Sequence, residues 1–324
     1  MATCLAIKPL PPLHGNQPRR KSYFLRPVTR SSSSRLPSFA TASKKSESRG
    51  TFAASETSYS LLTAVTSRYN EIVVLDNPES RILLLDSSHN IHSILSKEKK
   101  WTGSYWDEFA SLPAIVPEGP IAVLGLGGGT AAHLMLELWP SINFEGWEID
   151  EILIDIAREY FALSDLEKVT QAGGSLSIHI GDALSPDANV EGGFAGIIVD
   201  LFSDGKIFPQ LQEVTTWLDI EKKLMPRGRI MVNCGGVHAE ITDSGYIKVN
   251  GNISSKGSWV QNSTIRAMCR AFPSKLSWKR LEGKDSENYL ALSGPVPDLD
   301  AWSAALSHPL DMNVKDWRPC KLAA

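Results

Sequence analysis

Long apolar runs and paired cysteines are both scarce in this sequence. Even the apolar segment 121–126 meets glycine well short of the roughly 18 apolar residues that a membrane span needs, so no membrane insertion is expected. Beyond the first fifty residues the cysteines are Cys234, Cys269 and Cys320, and none of them has C-x-x-C spacing. This favours neither a disulfide framework nor a zinc site and suits a reducing compartment.

Acidic residues are nearly absent from the first fifty positions, which hold ten Lys or Arg against the single acid Glu47. Residues 31–34 are a run of serine, and the apolar core of a secretory signal is missing. Residues 1–53 are therefore predicted to be a disordered transit peptide, which places the protein in the chloroplast stroma. A disordered arm that binds nucleic acid is the alternative for so basic a segment.

The rest of the chain has the opposite charge balance. Without the leader, 23 basic residues face 35 acidic ones. An acidic domain disfavours nucleic acid as a partner. The expected partner is instead a small-molecule or protein acceptor.

The pattern of strands and helices predicts an α/β fold. Two short apolar runs, 71–76 and 81–86, flank an Asn-Pro turn and predict a small N-terminal antiparallel hairpin region, assigned to residues 54–116 together with a helix within 101–114. From residue 117 to 294 strands alternate with helices, which predicts a doubly wound, Rossmann-like parallel sheet with helices on both faces. Residues 295–324 form a tail without an assignable pattern.

A glycine-rich turn follows the first strand of this alternating region. Gly125, Gly127, Gly128 and Gly129 lie between that strand and a helix, so the backbone can turn sharply and a ligand can approach without meeting a Cβ atom. The turn predicts a nucleoside site. The same spacing also fits a dinucleotide site, whose acidic ribose partner stands about 20 residues further on.

Acidic residues follow the next three strands of the same region. Glu148, Asp182 and Asp200 stand where parallel strands end, and such ends share one edge of a sheet. Three carboxylates suit a positively charged sulfonium nucleoside and oppose the pyrophosphate of a nicotinamide dinucleotide. A helix cap or a solvated loop is the alternative for each acid taken alone.

The histidines do not predict a metal site. His89 and His92 are three residues apart but have no third ligand nearby in the sequence. His133, on the helix after the glycine turn, is more typical of a partly buried polar residue than of a catalytic base. We therefore expect no metal.

Several of these motifs together resemble the spermidine synthases. The segments are SRYNEIVV at 67–74, YWDEFASLP at 105–113, the glycine turn, WEID at 147–150, GD at 181–182 and IIVDLFSD at 197–204. The resemblance runs from about residue 59 to residue 235. It implies a sheet of the class I methyltransferase type and a donor that is S-adenosylmethionine or its decarboxylated form.

The resemblance also implies roles for individual residues. It assigns ribose to Glu148 and adenine to Asp182 with Ala183. Asn70 stands where that family contacts the tail of the nucleoside, and Asp200 where it has the proton acceptor for an amine. Tyr105 and Asp204 are the matching candidates for substrate contact, and a homodimer is typical of similar enzymes.

The sequence departs from the aminopropyltransferases at the donor's tail. Thr130 replaces the aspartate that holds the aminopropyl ammonium, Trp106 replaces a polar residue, and Asp204 is displaced by one position. A neutral hydroxyl tolerates the carboxylate of ordinary S-adenosylmethionine better than an aspartate does. Methyl transfer is therefore predicted first, aminopropyl transfer second, and a non-catalytic nucleoside-binding protein is the further alternative.

Overall fold

The structure is a computed structural model, and it describes residues 59–86, 90–203, 206–236, 259–282 and 287–320. All of these residues fall within one compact unit, Ser55–Ala324. The predicted transit peptide lies outside the described residues, as does the polar segment 242–258, whose Gly, Asn and Ser residues predict a surface loop. Their assignment, like the stromal location, stays a prediction of the sequence.

A four-stranded antiparallel sheet forms the N-terminal part, with its strands in chain order. The turn between the second and third strands forms because the side-chain oxygen of Asn77 accepts hydrogen bonds from the N–H groups of Glu79 and Ser80. The expected hairpin region is therefore present. Its strands are β1 (Ser60–Thr66), β2 (Glu71–Asp76), β3 (Ser80–Leu84) and β4 (Ser93–Ser96).

The remaining elements follow in alternation up to a closing antiparallel group. In chain order they are α1 (Tyr105–Phe109), β5 (Ile121–Leu124), α2 (Thr130–Leu138), β6 (Asn143–Glu148), α3 (Glu151–Tyr160), α4 (Leu163–Leu166), β7 (Ser175–Ile180), β8 (Phe194–Val199), β9 (Phe202–Ser203), β10 (Lys206–Ile207), α5 (Val214–Glu221), β11 (Leu224–Asn233), α6 (Ser263–Ala271), β12 (Leu276–Glu282), β13 (Glu287–Ser293), α7 (Leu299–Ala304), α8 (Leu310–Asn313) and β14 (Arg318–Pro319).

The main sheet has eight strands in the order β14-β12-β13-β11-β8-β5-β6-β7. The five strands from β11 to β7 are parallel, and β13, β12 and β14 extend the sheet with antiparallel pairs. All six residues of β8 are buried, as expected of a central parallel strand that is covered on both faces. The reversal of strand order beside β5 places the ends of β5, β6 and β8 at one crevice.

Two apolar clusters, one on each face of the sheet, form the core. One contains Phe109, Met135 and Ile154, and the other contains Trp217 and Ile265. In the part of the chain that the structure describes, no helix combines the length and the apolar character needed to span a bilayer.

The structure corrects several predicted bounds. The predicted helix within 101–114 shortens to the five residues of α1, because Pro113 begins a separate tight turn at 112–115. Residues 67–70 begin the segment 67–74 that resembles an entry strand of the spermidine synthases. In the structure they instead form the turn between β1 and β2, in which the N–H of Ser67 donates to the carbonyl of Asn70. The tail without assignment contains α7, α8 and β14.

Candidate functional site

The glycine turn after β5 presses against the end of β8. Gly125 has φ +87°, and a Cβ atom there would stand 2.3 Å from the carbonyl oxygen of Asp200. The N–H groups of Gly125 and Leu126 both donate to the carbonyl of Trp147 at 3.0 Å. Glycine is thus required at position 125 because two neighbouring strand ends approach it closely.

The N–H groups of the other three glycines already have acceptors within the protein. Gly127 donates to Oε2 of Glu148 at 3.0 Å, Gly128 to Oγ of Ser93 at 2.8 Å, and Gly129 to a carbonyl at 3.0 Å. A pyrophosphate site needs such N–H groups to point at the ligand. The turn therefore provides close approach for a ligand but does not present these donors to a phosphate, which argues against the dinucleotide alternative.

Glu148 ends β6 beside this turn. Its Oε1 accepts from the N–H groups of Ile149 and Asp150 at 2.9 and 3.2 Å. Burial raises the pKa of Glu148, and the hydrogen bonds from backbone N–H groups partly offset this rise. A carboxylate offers about four lone-pair sites, and three N–H groups use three of them, so Glu148 retains one site to accept from a ribose hydroxyl group.

The side chain of Asn70 contacts the residue that caps α3. Its side-chain amide donates to Oδ2 of Asp150 at 2.7 Å, and the hydroxyl of Ser67 donates to the same oxygen. The other oxygen of Asp150 caps α3 by accepting from Ile152 and Leu153. The described contact of the Asn70 side chain is therefore with the cap of α3, and its expected contact with a nucleoside stays a prediction.

Asp182 follows β7, two strands away from the glycine turn. Its carboxylate is exposed, and Oδ1 accepts from the N–H of Leu184 at 2.9 Å. Ala183 is buried in the second apolar cluster. Two isoleucines at the same sheet edge are unusually exposed for their type, Ile149 at 42% and Ile180 at 47%. Sequence reasoning missed them, although each directly adjoins or nearly adjoins a predicted acid.

Asp200 follows β8 and is surrounded by neutral donors. Its Oδ1 accepts from Nδ2 of Asn233 at 2.9 Å, and its Oδ2 accepts from the hydroxyl of Tyr105 at 3.1 Å. The side chain of Trp106 also donates to this carboxylate. Burial raises the pKa of Asp200 to about 6, and the three hydrogen bonds limit that rise. Asp200 is thus poised to change protonation near neutral pH.

Tyr105 and Asn233 complete this cluster. Burial, and then the nearby negative charge of Asp200, raise the pKa of Tyr105 well above its usual value, so Tyr105 is a neutral donor at physiological pH. Asn233, which is 2% exposed, ends β11, the strand next to β8. Tyr105 is predicted from the sequence but Asn233 is not, and Trp106 is noted there only as a departure from the family pattern. Their signal is position, since Asn233 is the last residue of β11 and Trp106 is the second residue of α1.

Thr130 does not stand free beside the site. Its hydroxyl accepts from the N–H of Ile94 at 2.8 Å and donates to the carbonyl of the same residue at 3.0 Å. Thr130 is 6% exposed. The expectation that its hydroxyl lies along the donor's tail is therefore not supported by this geometry, because the hydroxyl joins α2 to β4.

The remaining candidates lie elsewhere or outside the described part. Asp204 and His89 are outside the described residues. His92 pairs with Asp86 at 3.3 Å, and Nε2 of His133 lies 2.7 Å from the carbonyl oxygen of Phe161, to which it donates. Among the described residues, no cluster of three or more histidine, cysteine or acidic side chains could hold a metal.

Comparisons with known proteins place this architecture. No protein-family model matches the chain. A protein of Bifidobacterium longum named as a probable polyamine aminopropyl transferase is 28% identical over 210 residues, which are 62% of this chain and 45% of that protein. The chain thus spans less than half the length of this curated relative.

Solved structures agree on the fold. A probable spermidine synthase of Corynebacterium glutamicum has a TM-score of 0.53 at 17% identity, covering 75% of this chain and 86% of its own. A spermidine synthase in complex with the transition state analogue AdoDATO has a TM-score of 0.55 at 15% identity, covering 74% of each chain. Spermidine synthase of Thermotoga maritima has a TM-score of 0.51 at 15% identity and also covers 74% of each chain.

These similarities do not support the prediction that this is a plant plastid protein, and that statement stays a prediction of the sequence. They do confirm the fold expected from the motifs, including the Rossmann-like sheet and the small antiparallel N-terminal sheet. The chain has a spermidine synthase-like fold.

Proposed function

We propose that this protein is a transferase that uses an adenosyl sulfonium donor, and that the group transferred is aminopropyl, from decarboxylated S-adenosylmethionine. The name of the curated relative and the spermidine synthases among the solved structures support aminopropyl transfer over methyl transfer. The sequence had placed methyl transfer first because of Thr130. That argument loses its basis, since the Thr130 hydroxyl is bonded to Ile94.

The described residues fit the proposed donor. Glu148 and Asp182 supply acceptors for ribose and base, and the exposed Ile149 and Ile180 supply apolar surface suited to a flat ring between them. The glycine N–H groups are bonded within the protein, which fits a donor that carries no phosphate. This combination supports a nucleoside of positive charge.

The cluster around Asp200 is the single observation that carries the proposal. A sulfonium donor supplies an electrophilic carbon and leaves as a neutral thioether. An attacking amine must lose a proton as its nitrogen bonds to that carbon and the carbon–sulfur bond breaks. Asp200, with a pKa of about 6, can accept that proton at neutral pH, while Tyr105 and Asn233 hold its two oxygens in place.

The by-product identifies the reaction even when the acceptor varies. The full chain is incubated with decarboxylated S-adenosylmethionine and a diamine, or with S-adenosylmethionine and a mixture of amines and proteins. Release of methylthioadenosine from the first mixture is expected. Release of S-adenosylhomocysteine from the second mixture alone would establish methyl transfer and overturn the aminopropyl assignment.

Two variants separate catalysis from binding. Asp200→Asn is expected to reduce turnover at least a hundredfold with little loss of donor affinity, measured by calorimetric titration, since general base catalysis contributes about 10²–10⁴-fold. Asp219→Asn, an exposed acid on α5, is the matched control and is expected to retain full activity. Tight NAD binding in the same titration, or donor binding without turnover in the wild type, would contradict a transferase.

A further inference from the structure

α1 contributes both to the cluster around Asp200 and to a buried ion pair. Tyr105 and Trp106, at its start, donate to Asp200. Glu108, three residues after Tyr105, is 2% exposed and pairs with Lys279. A helix of five residues has too few internal hydrogen bonds to fix its own position. Its placement must come from contacts outside the helix.

The contact at Glu108 is a fully buried ion pair. Nζ of Lys279, on β12, lies 2.9 Å from Oε1 of Glu108, and both side chains are 2% exposed. The same Nζ donates to the carbonyl of Asn313 in α8 at 2.6 Å. Burial raises the pKa of Glu108, and the charge and hydrogen bond of Lys279 oppose that rise. The pair therefore ties α1 to the last strands of the sheet and to the C-terminal segment 299–320.

Two indole groups hold the carbonyls at the other end of the same helix. Nε1 of Trp139 donates to the carbonyl of Ala110 at 2.8 Å, and Nε1 of Trp302 donates to the carbonyl of Ser111 at 2.9 Å. These bonds fix where α1 ends.

We propose that Glu108 and Lys279 are positioning residues, whose buried pair sets the rotation of α1 so that Tyr105 and Trp106 reach the carboxylate of Asp200. The effect of this ion pair on turnover rests on the proposed function. Buried pairs seldom add net stability, because removing both charges from water costs about as much as their attraction returns. A geometric role is the physical reason for keeping one here.

The groups that face Asp200 make its pKa sensitive to a rotation of α1. Tyr105 and Trp106 face it from α1 and Asn233 from the end of β11, and of these Tyr105 is titratable. All three donors favour the ionised carboxylate. If α1 rotates and two of them move away, the pKa of Asp200 must rise, by about one unit or more.

The experiment uses the full chain with ¹³C-labelled aspartate, and the Asp200 carboxylate is assigned by comparison with Asp200→Asn. Its titration is followed by NMR in the wild type, in Lys279→Met, and in the double variant Glu108→Leu with Lys279→Met. Ile265→Ala, in the buried face of α6, serves as a control for general destabilisation. Lys222→Met, in an exposed ion pair, controls for loss of one lysine.

We expect the pKa of Asp200 to be higher in Lys279→Met than in the wild type. It should stay higher in the double variant, even where the melting temperature of that variant recovers. Both controls should titrate as the wild type does. An unchanged pKa of Asp200 in Lys279→Met, or a wild-type pKa in the double variant, would overturn the proposal. The pair would then serve stability alone.

The titration does not require turnover. If the wild type released no by-product from either donor, the proposed function would fail while the positioning of Asp200 would still be measured. If turnover is present, its acidic pH limit should move upward with the Asp200 titration in the same variants, and kcat should fall more than KM changes.

Discussion

The hydroxyl of Tyr105 is one of the donors that oppose the rise in the pKa of Asp200 caused by burial. Tyr105→Phe removes a donor 3.1 Å from Oδ2, which weakens the ionised form and raises the pKa of Asp200 above about 6. A base works only when it is ionised, so activity should fall on the acidic side. We expect the acidic limit of kcat/KM to rise by about one unit, in line with a hydrogen bond to a charged group worth about 1.5–3 kcal/mol.

The control for this change is Tyr69→Phe, because Tyr69 is 45% exposed and removed from Asp200. Its pH–rate profile should match the wild type. A uniform loss of rate at all pH values in Tyr105→Phe would mean that Tyr105 positions substrate and does not set the protonation of Asp200.

Substitution of Gly125 tests how closely the glycine turn approaches the end of β8. Alanine at this position would place a Cβ atom 2.3 Å from the Asp200 carbonyl at φ +87°, so the backbone of one strand end must shift. We expect Gly125→Ala to lower the free energy of unfolding by about 3–5 kcal/mol and to abolish donor binding. Denaturant unfolding and calorimetric titration measure the two effects.

Gly173→Ala is the matched control, because Gly173 also has positive φ, +97°, but meets nothing within 4 Å. Its expected cost is the conformational strain alone, about 1–2 kcal/mol, with donor affinity retained. Equal costs at the two positions would show that the contact with Asp200 relaxes without difficulty.

At the scale of elements, β4 holds the glycine turn in place. Ser93 accepts from Gly128, and Thr130 exchanges two hydrogen bonds with Ile94. Thr130→Val removes the hydroxyl and leaves the buried N–H of Ile94 without this acceptor. We expect a loss of about 1–3 kcal/mol in unfolding free energy with little direct change in donor affinity.

Thr130→Ser should restore the bond, and Thr66→Val, at an exposed position of β1, should change neither quantity. A variant at position 130 that keeps its stability but loses affinity for the donor would return the hydroxyl to the donor's tail. That result would also restore the argument for methyl transfer.

The elements that the sequence predicted well are those with local signals. The parallel strands are apolar runs with turns between them. The helix expected after the glycine turn is α2, Thr130–Leu138, which Gly129 precedes in the left-handed region. The acids Glu148, Asp182 and Asp200 follow strands β6, β7 and β8, whose parallel pairing brings these ends to one sheet edge. Periodicity and chain order suffice for such features.

What the sequence missed depends on contacts between distant segments. Asn233 and Asp200 are bonded because β11 and β8 are neighbours, which no spacing in the sequence reveals. The bond between Thr130 and Ile94 depends likewise on how β4 meets α2. These pairings arise from the packing of whole elements, so a residue type alone could not assign Thr130 to the donor.

At the scale of the whole molecule, the C-terminal segment 299–320 packs on the main sheet and contacts the chain just after α1. β14 pairs with β12 at the sheet edge, and α7 carries Trp302 into the first apolar cluster, stacked at 6.1 Å on Trp317. The tail that had no pattern in the sequence is therefore part of the core. It also supplies the donor to the carbonyl of Ser111.

Trp302 allows the packing and hydrogen-bonding parts of this contact to be separated. Trp302→Ala should lower the free energy of unfolding by about 3–5 kcal/mol, because it empties a site that is 1% exposed. Trp302→Phe retains an aromatic ring but leaves the Ser111 carbonyl without its donor, at an expected cost of about 1–2 kcal/mol. Trp101→Phe, at a partly exposed position, should have little effect.

The same two Trp302 variants test whether the packing of the C-terminal segment affects the site around Asp200, because Ser111 lies at the end of the segment that starts with Tyr105. Trp302→Phe should reduce turnover at temperatures where the variant is fully folded, measured alongside circular dichroism, since α1 loses one of its anchors. If Trp302→Phe lost stability but kept the wild-type turnover and pH profile, the C-terminal segment would hold the fold together without guiding the residues around Asp200.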